Sequence, residues 1–229
     1  ATLFIFVDYM RPAMRLAALM EQPAIYVLTH DSIYLGGDGP THQAIEHLTS
    51  LRIIPNMHVL RPGDPEEAVV AWQMALERTD GPTCLVMSRQ PLTVYPKHDS
   101  AWRQSARRGG YIVQDVDDPE VVLAATGSEV EMSLAAAKLL SARVRVVSVL
   151  SRELLFARDQ SELDVLFPPS AAVYAVEAGV GTGWEAITGG RRDRLFTIDR
   201  FGASGRPQEV ADFLGFTAEK LAERVEATL

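Results

Sequence analysis

The feature that most constrains the fold is a regular alternation of short apolar runs with longer segments of helical period. Several helix starts are marked: in "DPEEAVVAWQMALER", Asp64 is a candidate N-cap and Pro65 the first helical residue. Pro12 is similarly expected near the first turn of a helix over "RPAMRLAALM". Such alternation is typical of βαβ units and a mostly parallel sheet. The strands predicted in the first half are "LFIFV" (3–7), "AIYVL" (24–28), "MHVL" (57–60) and "TCLVMS" (83–88).

The alternation resumes in the second half of the chain. In "ATGSEVE", Gly127, Ser128 and Glu131 predict a strand, a turn and a helix that starts with a capping box. A terminal helix is expected from about Thr217. The strands predicted here are "GYIV", "VVLAATG" (121–127), "RVRVVSVL" (143–150), "AVYAVEAG" (172–179) and "RLFTI" (194–198).

A break in this pattern separates the two halves. Residues 90–109 contain two prolines and mixed charge without a clear apolar face, which is typical of a linker. We therefore predict an α/β fold of two consecutive three-layer domains with mostly parallel sheets. The domains are expected at residues 1–95 and 110–229, with the linker at 96–109.

Composition narrows the class of protein. No apolar stretch approaches the roughly 20 residues that cross a bilayer, so no membrane span is expected. Cys84, the only cysteine, lies inside an apolar run and is expected to be a small buried side chain in a cytoplasmic protein. The net charge of −8 argues against a nucleic-acid surface, so anions are expected to bind only at local arginines. The opening "ATLFIFVDY", without Met, suggests a chain that begins inside a fold.

Chemically versatile side chains follow three of the predicted strands. Phe6 and Tyr9 come with the first strand, His30 follows the second and precedes a glycine-rich loop to His42, and Arg89 follows the fourth. Because parallel strands place their carboxyl ends at one edge of the sheet, we expect these residues to converge there. A flat aromatic ring, two imidazoles and a fixed cation suit a polar, phosphorylated small molecule.

Other interpretations of the same residues stay open at this point. In an ordinary structural role, His30 would cap a strand, His42 would begin a helix and Arg89 would be a solvated linker residue. A metal site from His30, Asp31 and His42 has suitable ligand types but lacks the close histidine spacing of common sites, so no metal ligand is expected. The sequence has no dinucleotide fingerprint, Walker loop or nucleophile elbow.

Taken together, the motifs resemble the C-terminal part of a transketolase, in that family's order and over essentially the whole chain. "THDSIYLGGDGPTHQAIEHLTSLRIIPNM" is the most specific of them. The others are "FVDYMRPAMRLAALM", "RPGDPEEAVVAW", "DGPTCLVMSRQ", "RGGYIV", "ATGSEVE", "VVSV", "VEAG" and "RFGASGRPQEVADFLGFT".

The resemblance implies a function and a cofactor. Transketolases move a two-carbon ketol unit between sugar phosphates in the pentose phosphate pathway, with thiamine diphosphate and magnesium or another divalent cation. By similarity, Phe6 would stack on the aminopyrimidine ring of the cofactor, with Tyr9 and Leu3 beside it. His30 and His42 would be catalytic, binding substrate hydroxyls and moving protons, a role that suits imidazole.

The remaining substrate contacts implied by the resemblance are polar. Asp38 would bind a hydroxyl of the acceptor sugar, and Arg89 would bind the sugar phosphate. The chain departs from the family pattern at Leu3, where an aromatic residue is usual, and at Gly37, where an acidic residue is usual.

The resemblance also implies parts that this sequence does not contain. The family's diphosphate- and metal-binding domain and its cofactor-activating glutamate precede the matching segment, so this chain alone is expected to be inactive. It would need the missing N-terminal half or a partner subunit, and the intact enzyme would be a homodimer. The alternatives are a deoxyxylulose phosphate synthase-like enzyme, a pyruvate dehydrogenase-type β subunit or a non-catalytic interaction module.

Overall fold

The computed structural model describes residues 1–229 and begins with a four-stranded, fully parallel sheet. The strand order is β1-β2-β4-β3, so the chain's first strand lies at one edge. The elements of this half are β1 (Thr2–Leu3), α1 (Val7–Leu19), β2 (Ile25–Thr29), α2 (His47–Arg52), β3 (His58–Leu60), α3 (Pro65–Glu77) and β4 (Thr83–Met87).

The second half contains a five-stranded sheet in the order β5-β7-β6-β8-β9. Its strands are parallel except β5, which pairs antiparallel with β7. The elements are α4 (Trp102–Arg107), β5 (Gly110–Gln114), β6 (Val121–Ala125), α5 (Glu129–Ala137), β7 (Val144–Val149), α6 (Arg152–Phe156), α7 (Gln160–Leu166), β8 (Ala172–Glu177), α8 (Glu185–Thr188), β9 (Leu195–Thr197), α9 (Pro207–Leu214) and α10 (Ala218–Thr228).

Both sheets are packed on both faces, which explains their continuous apolar strands, although in β2 only Leu28 is fully buried. In β6, Leu123 belongs to one core cluster, whereas Val122 and Ala124 belong to another on the opposite face. In β3, Leu60 and Val59 are divided between two clusters in the same way. Strands covered on both sides read as apolar runs rather than as an alternation of apolar and polar residues. The predicted fold class, α/β with mostly parallel sheets, is confirmed.

The two sheets share a hydrophobic core. The largest cluster joins Leu60 and Leu85 of the first sheet to Leu123 and Tyr174 of the second. Cys84 is fully buried, as predicted. The stretch at 96–109 contains α4, which begins with the buried Trp102. Every helix of the structure is too short or too polar to span a bilayer.

The predictions for the start of the chain were wrong in two respects. The strand expected at 3–7 is only Thr2–Leu3, and a short 3-10 helix over Phe4–Phe6 follows it. Because α1 already begins at Val7, Pro12 lies inside the helix rather than in its first turn. A short apolar run fits a strand or a buried helix end equally well, and the burial of Phe4 and Val7 accounts for the pattern.

The two helix caps predicted from the sequence have different outcomes. Asp64 caps α3 as predicted, because its Oδ1 accepts a hydrogen bond of 2.8 Å from the backbone N–H of Glu67. The capping box predicted at Ser128 was wrong. The Ser128 Oγ instead donates a hydrogen bond of 2.7 Å to Oε1 of Glu129, a carboxylate inside a buried cluster. The backbone of Ser128 is already helical, with φ −60° and ψ −18°, whereas a capping residue usually has an extended backbone that brings its oxygen to the backbone N–H groups.

Candidate active site

The carboxyl edge of the first sheet carries the candidate site. Leu3 and Met87 both lie opposite Thr29 in the strand register, on the two sides of β2. His30 follows Thr29 directly, and Arg89 follows Met87 by two residues. Leu3, His30 and Arg89 therefore leave neighbouring strands at the same edge, which we call the rim.

Aromatic side chains cluster at the rim. The half-buried ring of Phe6 meets the His42 ring edge to face, with centroids 5.6 Å apart and an interplanar angle of 83°. Tyr9, on the first turn of α1, lies 6.2 Å from the Phe6 ring and is 84% exposed. The structure thus brings three predicted site residues together and leaves an aromatic surface open to a flat ligand.

Both candidate histidines are held in the same way by a threonine. The His30 Nδ1 lies 3.0 Å from Oγ1 of Thr29, and the His42 Nδ1 lies 3.0 Å from Oγ1 of Thr41. Neither ring makes another hydrogen bond within the chain, so each Nε2 is available to a ligand. Depending on which ring nitrogen carries the proton, that Nε2 donates or accepts a hydrogen bond.

His30 also has an unusual backbone. Its φ is +60°, in the left-handed region that residues other than glycine seldom adopt. Such a conformation costs on the order of 1–3 kcal/mol and is found preferentially at functional sites. The strained backbone turns the chain sharply at the end of β2, where the imidazole leaves the sheet.

The two remaining predicted residues are exposed and unpaired. Asp38 lies on the irregular loop between the 3-10 helix Ile33–Leu35 and α2, and its carboxylate makes no hydrogen bond or ion pair. Arg89 lies just beyond β4 and is similarly free of intramolecular partners. Both charges are therefore available to a solute.

A buried ion cluster behind the rim was not foreseen. Arg61 is fully buried, and its Nη2 donates a hydrogen bond of 2.7 Å to Oδ2 of Asp31. Its Nη1 pairs with Glu129 and donates to Oγ1 of Thr126 at 2.7 Å. Burial alone would lower the pKa of Arg61, but Glu129 and Asp31 outweigh that effect and raise it. Asp31, considered above as a metal ligand, is thus used to neutralise Arg61.

The cluster continues through a second carboxylate. Arg52 donates a hydrogen bond of 2.8 Å to Glu177, which also accepts bonds of 3.0 Å from Trp184 and from Thr126. Burial opposes ionisation of Glu177, yet Arg52 and Arg61 outweigh it and hold the pKa of this carboxyl below its usual value. No group of three or more potential metal-ligating side chains occurs anywhere in the chain.

A sequence signal for this cluster exists. Arg61 directly follows the apolar strand β3, and Glu177 is the last residue of the apolar strand β8. A charged residue at the end of a buried strand costs free energy unless it is paired, so such positions mark candidate ion pairs. This signal does not identify the residue with which each charge is paired, because the paired residues lie far apart in the sequence.

Comparison with known proteins agrees with this geometry. Residues 1–94 match the model of the transketolase pyrimidine-binding domain, and residues 109–217 match that of the transketolase-like C-terminal domain. The transketolase of Treponema pallidum is 49% identical over 225 residues, which are 97% of this chain and 34% of that protein. The transketolase of Geobacillus stearothermophilus is 44% identical over the whole chain and 35% of its own length.

Solved structures give the same result. A crystal structure of transketolase from Pichia stipitis in complex with sedoheptulose 7-phosphate superposes with a TM-score of 0.92 at 35% identity, over 99% of this chain and 33% of that one. The chain belongs to the transketolase family. It spans about a third of the length of the curated transketolases that it matches.

The two departures from the transketolase pattern differ in their structural setting. Leu3 is the last residue of β1 and is half-buried, so a leucine side chain occupies the rim where the family usually has an aromatic ring. Gly37 is exposed, and a Cβ atom at this position would meet no other atom within 4 Å. The acidic residue that transketolases usually carry there would therefore fit without rearrangement.

Proposed function

We propose that this chain forms the sugar-phosphate half of a transketolase active site, which transfers a two-carbon ketol unit between sugar phosphates. The observation that carries the proposal is the convergence of Phe6, Tyr9 and His42 in one aromatic and imidazole cluster at the rim where His30 also emerges. A purely structural rim would not require two threonine-oriented imidazoles with free Nε2 atoms.

The two histidines are the proposed catalytic residues. In this proposal, the Nε2 atoms of His30 and His42 bind hydroxyl groups of donor and acceptor and exchange protons with them during ketol cleavage and addition. The Thr29 and Thr41 hydroxyls fix the ring orientation from the opposite side. Positioned imidazoles of this kind contribute on the order of 10²–10⁴-fold to proton-transfer steps.

The two exposed charges are the proposed substrate anchors. Arg89 binds the sugar phosphate, because a planar guanidinium can donate two parallel hydrogen bonds to phosphate oxygens. Asp38 accepts a hydrogen bond from a hydroxyl of the acceptor sugar. Both side chains are free of intramolecular partners, which is a requirement for this role.

The rim also fits one part of the cofactor. Thiamine diphosphate, when bound, supplies the carbon that accepts and releases the two-carbon unit. The open aromatic surface of Phe6 and Tyr9, with Leu3 beside it, suits stacking against an aminopyrimidine ring. The chain offers no cluster of metal ligands for the divalent cation. We assign the diphosphate, the metal and the cofactor-activating carboxylate to residues outside these 229.

The proposal therefore involves further protein. Ketol transfer is expected only when these residues act together with a diphosphate-binding domain, on the same polypeptide or on a partner subunit. A homodimer is proposed for the intact enzyme, since active sites of the family lie between subunits. A cytoplasmic location stays a prediction from the cysteine content.

Substrate profiling tests the proposed function. The complete enzyme that contains this chain is supplied with thiamine diphosphate, magnesium and ribose 5-phosphate, with either xylulose 5-phosphate or pyruvate as donor. We expect transfer from xylulose 5-phosphate, which converts two five-carbon sugars into a seven-carbon ketose phosphate and a three-carbon aldose phosphate. Turnover of pyruvate alone would replace the proposal by an acyl-transferring thiamine enzyme, and binding without turnover of either donor would replace it by a non-catalytic module.

A further inference from the structure

The loop that carries Asp38 and His42 is held by the C-terminal half of the chain. We call residues 36–43 the substrate loop and residues 202–204 the clamp segment. Gln43, at the end of the substrate loop, is 1% exposed. Its Nε2 donates hydrogen bonds of 3.0 Å to the carbonyl oxygen of Gly36 and 2.9 Å to that of Ala203. One buried amide thus joins both ends of the substrate loop to the clamp segment.

The two segments also meet too closely for side chains. A Cβ atom on Gly202 would lie 1.8 Å from Oε1 of Gln43, and one on Gly39 would lie 2.2 Å from Oγ of Ser204. Contacts below 3.0 Å do not occur between real atoms of this kind, so a side chain at Gly202 would displace the Gln43 amide and one at Gly39 would displace the Ser204 hydroxyl.

Within the substrate loop, two backbone hydrogen bonds of 3.0 Å form, from the N–H of Gly39 to the carbonyl oxygen of Gly36 and from the N–H of His42 to that of Gly39. The loop contains no helix or strand between the 3-10 helix Ile33–Leu35 and α2. Gly36 and Gly39 have φ values of +79° and +76°, which glycine adopts without strain but which give the loop no rigidity of their own. Two turns alone do not fix the position of the loop on the protein, so its placement also depends on what it packs against, and Gly202, Ala203 and Ser204 of the clamp segment all lie against it.

We propose that Gln43 and the clamp segment are positioning residues for acceptor binding, because they set the geometry of the loop that presents Asp38 and His42. This inference rests on the proposed function. Gln43 is the buried last residue of the loop and acts by holding the loop in place rather than by touching substrate. The C-terminal half thereby takes part in substrate recognition, although none of its side chains contacts the substrate in this proposal.

The substitution Gly202→Ala tests the clamp. Gly202 does not have a positive φ, so alanine is conformationally acceptable, but its methyl group displaces the Gln43 amide from both carbonyls. In the complete enzyme, the KM for ribose 5-phosphate is expected to rise about tenfold, since small misplacements of binding groups have effects of this order. The KM for thiamine diphosphate stays unchanged. Gly205→Ala is the matched control, because its Cβ would meet only ordinary contacts of 3.5 Å or more.

A steric rescue separates positioning from general destabilisation. Gln43→Ala alone should also raise the acceptor KM, because both amide hydrogen bonds are lost. In that background, Gly202→Ala should add less than about twofold, since the clashing atom is gone and the two changes act on one contact. Full additivity of the two effects, or a lowered melting temperature with an unchanged acceptor KM, would overturn the proposal.

Hydrogen exchange tests, independently of activity, whether the clamp segment holds the substrate loop. Backbone amides of residues 36–43 should exchange faster in the Gly202→Ala variant than in the wild type or in Gly205→Ala. Equal exchange rates in Gly202→Ala and Gly205→Ala would overturn the proposed role of the clamp segment even if ketol transfer were intact. An absence of ketol transfer in the wild type would overturn the proposed function instead, so the two failures appear in different measurements.

Discussion

At the scale of single residues, the two histidines of the candidate site show how a neighbouring residue can orient an imidazole ring. His30 and His42 each follow a threonine, and each ring is hydrogen-bonded to the hydroxyl of that threonine at Nδ1. The bond restricts rotation of the imidazole and directs the other nitrogen outward. The repeated "TH" pair is visible in the sequence. The hydrogen bond within each pair, and the orientation of the imidazole ring that it fixes, are visible only in the structure.

The Arg61 cluster leads to a prediction about stability. In Arg61→Met, the carboxylates of Asp31 and Glu129 remain buried without a counter-charge, which is expected to cost about 3–5 kcal/mol. Urea unfolding would measure the loss in free energy of unfolding. Arg192→Met, an exposed arginine without an ion pair, should change it by less than about 0.5 kcal/mol. Equal losses in the two variants would show that the cluster does not stabilise the fold.

His58 leads to a prediction about pH. Burial and the nearby Arg78 lower the pKa of this histidine from 6.5 to about 4, with Asp80 opposing. Between these two values the unfolded chain binds a proton at His58 that the folded chain does not bind. Stability is therefore lost as the pH falls from about 6.5 towards 4, and this contribution does not change further below 4.

The substitution His58→Gln should remove that part of the pH dependence. Melting temperatures from pH 7.5 to 4.5 would be compared for the wild type, His58→Gln and the exposed-site control His98→Gln. The control is expected to follow the wild type, whereas His58→Gln falls less steeply below pH 6.5. Parallel curves for His58→Gln and the wild type would contradict the assignment.

At the scale of elements, local patterns located most strands and helices but not their ends. Eight of the nine strands lie within or next to the apolar runs that predicted them. The exception is β1, which was predicted too long because the buried apolar residues Phe4 and Val7 belong to helical turns and not to a strand. Pro12 was placed in a first turn since proline is favoured there, but α1 tolerates it at an exposed position. The antiparallel direction of β5 has no local signature either.

At the scale of the whole molecule, those candidate site residues that lie close together in the sequence could be predicted from it. The motif around the glycine-rich loop contains His30, Asp38 and His42, and strand order places Arg89 at the same rim. The supporting contacts were not predictable. Arg61 and Glu129 are 68 residues apart, and Gln43 and Ala203 are 160 apart, so no local pattern links them. They depend on how the second sheet packs against the first.

The proposed role of His30 in ketol transfer can be tested by a single substitution. The most direct measurement is kcat/KM for transfer from xylulose 5-phosphate to ribose 5-phosphate by the complete enzyme, in His30→Ala and in the control His98→Ala. We expect His30→Ala to lose at least about 100-fold, as for removal of a positioned proton-transfer group. His98→Ala, at an exposed position between β4 and α4, should keep the wild-type value. Wild-type transfer by His30→Ala would contradict the account.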